Sequence, residues 1–299
     1  LSEVQSSEIK NLDLLAKQVV EGFITGIHKS PFHGFSVEFS EHKLYNKGES
    51  TRHIDWKLFA RTDRLFIKKY EEETNLRCQI ILDTSSSMYY PSPSQNKMLF
   101  SVYAAASIIH LLKKQRDASG LALFSDQLEE YLPARSSATH LQHLYARLES
   151  HLATPKVEKT TSAASAIHQL AEIMPKRSLV IIFSDMMEDE DRREALFSSL
   201  QHLKYNKHEV LLFHTMDHET EFNFDFDNRP RKFIDMETGA LIKAYPAEVK
   251  KEYLAYIESF RKELKIKCAQ YAIDLVEADI KKGFAQVLQP YLIRRGKMM

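Results

Sequence analysis

Cysteine is scarce in this chain of 299 residues, which contains only Cys78 and Cys268. Two cysteines do not make a disulfide framework, so the count predicts a protein of a reducing compartment, and we expect the cytoplasm. Long apolar runs are missing as well. None approaches the ~18 residues of a membrane span, and the first residues lack the pattern of a signal peptide. We therefore expect no membrane-spanning segment.

The chain also has no excess of positive or of negative residues. Lysine plus arginine and aspartate plus glutamate both number 41, so the formal net charge is zero. A neutral chain has no global field that would hold a polyanion. The composition therefore predicts that neither nucleic acid nor anionic lipid is the partner.

Three catalytic fingerprints are absent too. Neither Gly-x-x-x-x-Gly-Lys nor Gly-x-Gly-x-x-Gly occurs, which argues against a P-loop nucleotidase and a Rossmann dinucleotide enzyme. Gly-x-Ser-x-Gly does not occur either, which argues against a serine hydrolase with a nucleophile elbow.

What the chain does have is an apolar run that stops at a carboxylate. Residues 80–82 are followed by Asp83 and then by four small hydroxyl residues, as in a buried parallel strand that carries an acid to its carboxyl end. Asp83, Ser85 and Ser87 form Asp-x-Ser-x-Ser, whose oxygens can converge on a small hard cation. Oxygen ligands favour Mg²⁺ or Mn²⁺ over zinc. The alternative is a loop whose serines only cap a turn.

A second apolar run makes the cation site the better interpretation. Residues 179–183 are followed by Ser184 and Asp185, and Thr161 lies in the stretch between the two acids. If both runs are adjacent strands, Asp83 and Asp185 meet where the winding of an open sheet reverses. The acidic cluster 188–191 could enlarge such a site, but negative charge is also favourable at a helix start, and we prefer that interpretation.

These residues resemble the metal-ion-dependent adhesion site of von Willebrand factor A domains. The segments before them narrow the resemblance: residues 38–41, 44–48 and above all Arg52-His53-Ile54-Asp55-Trp56 are similar to the bacterial domain-of-unknown-function family 58. The likeness runs from about residue 32 to residue 292. It departs from the family at Ser162, a position in the middle loop that is often acidic there.

The resemblance implies a ligand set, a cofactor and partners. The metal ligands would be Asp83, Ser85, Ser87, Thr161 and Asp185, holding Mg²⁺ or Mn²⁺, an ion that sites of this kind can lack while the fold persists. An open coordination position would take a carboxylate from a partner protein. Because the family often occurs beside MoxR-type AAA+ ATPases, such an ATPase is the expected partner.

The segment before the first core strand is rich in basic and aromatic residues. It could be a nucleic-acid surface, but Glu71, Glu72 and Glu73 cancel its charge. We favour a clasp in which Trp56 is buried and Asp55 pairs with Arg52 or Arg61. These four residues are predicted to be structural or to contact a partner.

Strands alternate with helices along the rest of the chain, which predicts an α/β fold with a doubly wound, mostly parallel sheet. We divide the chain into an N-terminal helix and clasp (1–75) and a von Willebrand A-like domain (76–299), with a β-hairpin excursion at about 221–245. The expected function is a non-enzymatic, Mg²⁺-dependent binding module, an adaptor for a MoxR-type ATPase. The alternative is a magnesium-dependent hydrolase, a phosphatase or nuclease, which would use the same oxygens.

Overall fold

The computed structural model describes residues 12–21, 36–44, 54–73, 76–152, 162–188 and 190–283. They fall into two compact units, Ser30–Leu76 and the larger unit formed by Leu1–Lys29 with Arg77–Met299. In chain order the main elements are α1 (Leu12–Glu21), β1 (Ser36–Leu44), α2 (Trp56–Thr62), β2 (Phe66–Glu73), β3 (Arg77–Asp83), β4 (Pro91–Ser92), β5 (Gln95–Asn96), α3 (Lys97–Lys114), β6 (Ala118–Phe124), β7 (Leu128–Arg135), α4 (Ala138–Leu152), α5 (Ala163–Ile173), β8 (Leu179–Ser184), α6 (Glu190–Tyr205), β9 (Glu209–Met216), β10 (Arg231–Ile234), β11 (Leu241–Ala244), α7 (Pro246–Gln270) and β12 (Asp274–Asp279).

The larger unit is built on a six-stranded sheet in the order β12-β9-β8-β3-β6-β7. All neighbours are parallel except β6 and β7, which form an antiparallel hairpin. From β3 the chain adds β6 and β7 on one side and then β8, β9 and β12 on the other. The winding therefore reverses between β3 and β8, and the predicted doubly wound, mostly parallel α/β fold is confirmed.

The four central strands of this sheet, β9, β8, β3 and β6, are apolar because both faces of the sheet are covered there. Alternate residues of a strand point to opposite faces, and one set, which includes Ile81, Val180 and Val210, forms a core with residues of α5, α6 and α7. The helices α1, α3 and α4 contact one another, and α3 packs on β3 and β6. A strand that is covered on both faces has a continuous apolar sequence, and this pattern predicted β3 and β8.

The hairpin of β6 and β7 closes one edge of the sheet with an irregular register. The pairing shifts between Ser119 and Leu121, and a Cβ at Gly120 would lie 2.6 Å from the Leu132 carbonyl oxygen. Only glycine lets the two backbones approach this closely. The outer strand β7 also carries Pro133, which has no backbone N–H.

The excursion predicted at 221–245 is partly a hairpin. β10 and β11 pair antiparallel from Arg231 with Ala244 to Ile234 with Leu241. The preceding residues His218–Phe222 form one π-helical turn, capped by the Asp217 side chain. The hairpin leads directly into α7, whose first residue is Pro246.

The smaller unit pairs β1 with β2 in an antiparallel sheet. Its helix α2 begins after Asp55, whose Oδ1 accepts hydrogen bonds from the backbone N–H groups of Lys57 and Leu58. The predicted burial of Trp56 is wrong: its side chain is 61% exposed and meets Phe59 edge to face. The short helix α2 has no buried residue on which a core could form.

The predicted roles of Arg52 and Arg61 stay predictions. Arg52 lies outside the described residues, and Arg61 is exposed in the last turn of α2. The predicted domain division after residue 75 placed α1 with the clasp, whereas α1 packs on α3. It also contacts α4, whose Glu149 Oε1 accepts a hydrogen bond from the Leu12 N–H at 3.1 Å.

Candidate functional site

Asp83 ends β3 at the carboxyl edge of the sheet, where it is completely buried. Its Oδ1 accepts the backbone N–H of Ser85 at 2.9 Å, and its Oδ2 accepts the hydroxyl of Ser184 at 2.6 Å. Ser184 also accepts the N–H of Met186 at 2.9 Å. Ser184 therefore ties the end of β8 to the end of β3 and positions the Asp83 carboxylate.

The carboxylate of Asp83 is poorly compensated in charge. Burial, and secondarily the negative charge of Asp185, raise the pKa of Asp83 from 3.8 to about 7. A carboxyl group with such a pKa lacks a cation close by. A divalent ion bound at this point would favour the ionised form and lower the pKa again.

The two serines of the motif lie side by side in the turn after β3. The Ser85 and Ser87 hydroxyl oxygens are 3.0 Å apart, and the Ser87 hydroxyl helps to lower the pKa of Asp185. Two neighbouring ligands of an octahedral Mg²⁺ at ~2.1 Å are about 3.0 Å apart. Thr84, between Asp83 and Ser85 in the sequence, instead donates its hydroxyl to the Phe124 carbonyl at 2.8 Å.

A lysine that the sequence analysis missed shares this site. Lys97, fully buried at the start of α3, donates to Asp185 Oδ2 at 2.7 Å and to Glu221 Oε1 at 2.5 Å. Burial alone would lower the pKa of Lys97, but the two carboxylates outweigh it and raise that pKa. Burial likewise acts to raise the pKa of Asp185, and the Lys97 ammonium outweighs it and lowers that pKa.

One signal in the sequence could have revealed Lys97. A lysine in the first turn of a helix faces the positive end of the helix dipole, so it needs an acidic partner when it is buried. Nothing local points to Glu221, because the π-helical turn that carries it is placed by tertiary packing. The Tyr253 hydroxyl holds that turn by donating to the Glu221 carbonyl oxygen at 2.8 Å.

The structure thus brings together four of the five predicted ligands, Asp83, Ser85, Ser87 and Asp185. Thr161 lies outside the described residues. Its neighbour Ser162 donates its N–H to the Ser125 carbonyl at 3.0 Å, just beyond the end of β6.

The acidic cluster divides between two helix starts. Glu190 and Asp191 occupy the first turn of α6, as predicted. Glu188 is buried and accepts the Ala163 N–H at the start of α5 at 2.8 Å. Asp189 lies outside the described residues.

The donor set fits a hard cation held by few charges. Within the described residues, no group of three or more His, Cys, Asp or Glu side chains is arranged to hold a metal ion. Any ion here would depend on the hydroxyls of Ser85 and Ser87. Because Lys97 already pairs with one oxygen of Asp185, that acid is better suited to act through water than to bind an ion directly.

Comparison with known proteins gives a family. Residues 41–251 match the family model described as "Protein of unknown function DUF58". This chain belongs to that family. The match covers the site from β3 to the π-helical turn and most of the smaller unit, but the family description assigns no activity.

Relatives of this DUF58 protein occur in mycobacteria. Uncharacterized proteins of Mycobacterium bovis and Mycobacterium tuberculosis are 25% identical over 182 residues, which is 61% of this chain and 57% of theirs. The chain therefore spans little more than half the length of these curated relatives.

Two solved structures are similar at low identity. One is an aerotolerance-related membrane protein from Bacteroides fragilis, with 16% identity and a TM-score of 0.43 over 75% of this chain and 100% of that one. The other is the conserved hypothetical protein BatB from Bacteroides thetaiotaomicron, with 14% identity and a TM-score of 0.42 over 74% and 99%. In the described part of the present chain, no helix is both long and apolar enough to cross a membrane.

Proposed function

We propose that this DUF58 protein is a non-enzymatic module that binds a carboxylate of a protein partner through Mg²⁺ or Mn²⁺. The ligands would be Asp83, Ser85 and Ser87, with Thr161 and, through water, Asp185. The observation that carries the proposal is the convergence of acid and hydroxyl oxygens at the point where the sheet reverses its winding.

The chemistry of the donors favours binding of a further anion. Hydroxyl ligands are neutral, so an ion held by them keeps most of its positive charge and can accept a carboxylate at a free position. Ser184 and the Ser85 N–H hold Asp83 in place from the protein side. Lys97 neutralises Asp185 and Glu221 and so limits the negative charge that an incoming carboxylate would meet.

The alternative, a magnesium-dependent hydrolase, needs a base within reach of a substrate. His214 on β9 feels the charge of Asp185, but burial outweighs it and lowers the pKa of His214 to about 4, so the imidazole is neutral at physiological pH. However, it is buried in the sheet beside Phe260. A base enclosed in this way cannot take a proton from a bound water, which supports binding over catalysis.

We also propose a MoxR-type AAA+ ATPase as the partner, which would make this protein its adaptor. This rests on the family resemblance of the residues around Arg52 and Trp56. The exposed ring of Trp56 is suited to such a contact, because aromatic residues are enriched at protein interfaces.

Direct measurement of metal binding tests the proposal. Electron paramagnetic resonance of added Mn²⁺ should show bound ion with the wild-type protein, loss of binding in Asp83→Ala and weakening in Thr161→Ala. The exposed Asp274→Ala serves as the control and should bind as the wild type does. Mg²⁺-dependent pull-down of a purified MoxR-type ATPase should follow the same order.

Two results would reverse the proposal. Equal Mn²⁺ binding by the wild type and Asp83→Ala would show that the ion does not bind at Asp83. Turnover of a phosphate ester such as p-nitrophenyl phosphate by the purified protein, lost in Asp83→Ala, would establish the hydrolase instead.

A further inference from the structure

A pocket of about 350 Å³ opens beside the candidate metal site and shares Ser87 and Asp185 with it. Its volume lies at the lower end of the range for small-ligand sites. All of its lining belongs to the larger unit: Ser87, Tyr90, Asp185, Met187, Thr220, Glu221, Phe224, Phe226, Phe233, Asp235, Met236, Glu237 and Tyr253. An occupant of the pocket would therefore lie next to a ligand of the metal.

Aromatic rings form most of the apolar wall. Phe224 is at the centre, with its ring stacked on Phe233 at 5.6 Å, tilted against Tyr253 at 4.7 Å and edge to face with Phe226 at 4.9 Å. Rings that brace one another in this way form a preshaped surface. Binding to it costs little side-chain entropy.

The polar part of the lining is acidic. Four carboxylates face the pocket, from Asp185, Glu221, Asp235 and Glu237, and in the described part of the chain no Lys, Arg or His lines it. The ammonium of Lys97 lies behind the lining and pairs with the first two acids. The four carboxylates outnumber the cations named beside the lining, Lys97 behind the first two acids and Arg231 over the Phe226 ring, so the pocket is acidic.

Rings of this lining already face cations of the same chain. The Lys97 ammonium lies 6.0 Å from the centre of the Tyr90 ring, and the Arg231 guanidinium lies 5.4 Å from that of Phe226. The faces of aromatic rings attract cations, and the attraction grows when water is excluded. Aromatic walls and acidic groups together select a positively charged, partly apolar group.

The mouth of the pocket has the character of a protein contact. Met236 lines the pocket and is 41% exposed, and the same hairpin exposes Ile234, Leu241 and Ile242. A group of exposed large apolar side chains at the mouth of a pocket is typical of a surface that meets another protein.

We propose that this pocket binds a lysine or arginine side chain of the protein partner. The inference rests on the proposed function in taking the ligand to be a protein, and it adds a second contact to the carboxylate contact at the metal. The partner would then present a basic side chain near the acidic one, and the pair would fix its orientation.

Capped amino acids test the pocket without the metal. Nα-acetylarginine methylamide and Nα-acetyllysine methylamide would be titrated in EDTA into protein with isotope-labelled methionine methyl groups. NMR signals of Met187 and Met236, which line the pocket, should shift, whereas those of the core residues Met98 and Met174 should stay in place. Nα-acetylcitrulline methylamide, which has the shape of the arginine probe without its charge, should give no shift.

Variants separate charge from aromatic contact. Glu237→Gln and Phe226→Leu should each weaken binding of the arginine probe several-fold, and the exposed Glu194→Gln on α6 should bind as the wild type does. Equal shifts with the citrulline and arginine probes would overturn the proposal. So would tighter binding of spermidine than of either capped amino acid, because the ligand would then be a free polyamine.

The test is independent of the metal. If the capped amino acids shift no methionine signal while the protein still binds Mn²⁺, only the proposal for the pocket is wrong. If the signals shift but the protein does not bind Mn²⁺, only the proposed metal-dependent contact is wrong.

Discussion

Replacing Lys97 by methionine should strongly destabilise the larger unit. Lys97 is fully buried between Asp185 and Glu221, and methionine keeps much of its volume while removing the charge. Deleting one partner of a buried ion pair leaves the other charges uncompensated, which costs about 3–5 kcal/mol. Because a folded domain is stable by only about 5–15 kcal/mol, this loss should be easy to measure.

The assay can follow the two units separately. Urea unfolding followed by far-ultraviolet circular dichroism reports mainly the helices, most of which belong to the larger unit. Fluorescence of Trp56, the only tryptophan in the chain, reports the smaller unit. In Lys97→Met the dichroism transition should move to lower urea, while Lys114→Met, an exposed change at the other end of α3, should leave it in place.

A double variant tests the cause. If uncompensated charge is the reason, Lys97→Met combined with Glu221→Gln should be more stable than Lys97→Met alone, because one buried carboxylate is then neutral. A loss of less than about 1 kcal/mol in Lys97→Met would refute the reasoning, since losses that small are usual for exposed substitutions. The same holds if the double variant is no more stable than the single one.

Three further predictions concern acidity, packing and exposure. Because burial raises the pKa of Asp83 in the folded protein to about 7, folding takes up a proton between about pH 4 and 7. The free energy of unfolding should therefore fall as the pH rises through that window. Urea unfolding at several pH values should show a smaller fall in Asp83→Asn. Gly120→Ala should lower the thermal midpoint in calorimetry, since its Cβ would lie 2.6 Å from the Leu132 carbonyl oxygen and force the hairpin apart; an unchanged midpoint would contradict the close approach. Trp56→Ala should change the free energy of unfolding by less than about 1 kcal/mol, because the ring is 61% exposed, and a larger loss in urea titration would mean that the ring is packed.

The sheet and the acid pair were predictable because they depend on local pattern. The apolar runs that end at Asp83 and Asp185 have the composition of strands covered on both faces, and the order of strands and helices limits the topology. Two acids at the ends of neighbouring parallel strands then meet at the same edge, as they do here.

The remaining parts of the site depend on contacts between distant segments. Glu221 reaches Lys97 across 124 positions of sequence, and no periodicity indicates such a contact. The predicted burial of Trp56 failed for the opposite reason: a large aromatic side chain was assigned to a core, but the short helix α2 caps itself through Asp55 and leaves the ring outside.

The outer strand β7 limits how copies of this protein can join through this edge of the sheet. Edge strands with free backbone groups invite pairing with another chain, and a proline within such a strand interrupts the row of donors. Pro133 does so beside the irregular register of this hairpin. A fibril that grew by adding strands at this edge would lack the backbone donor of one residue, Pro133, in each new pairing.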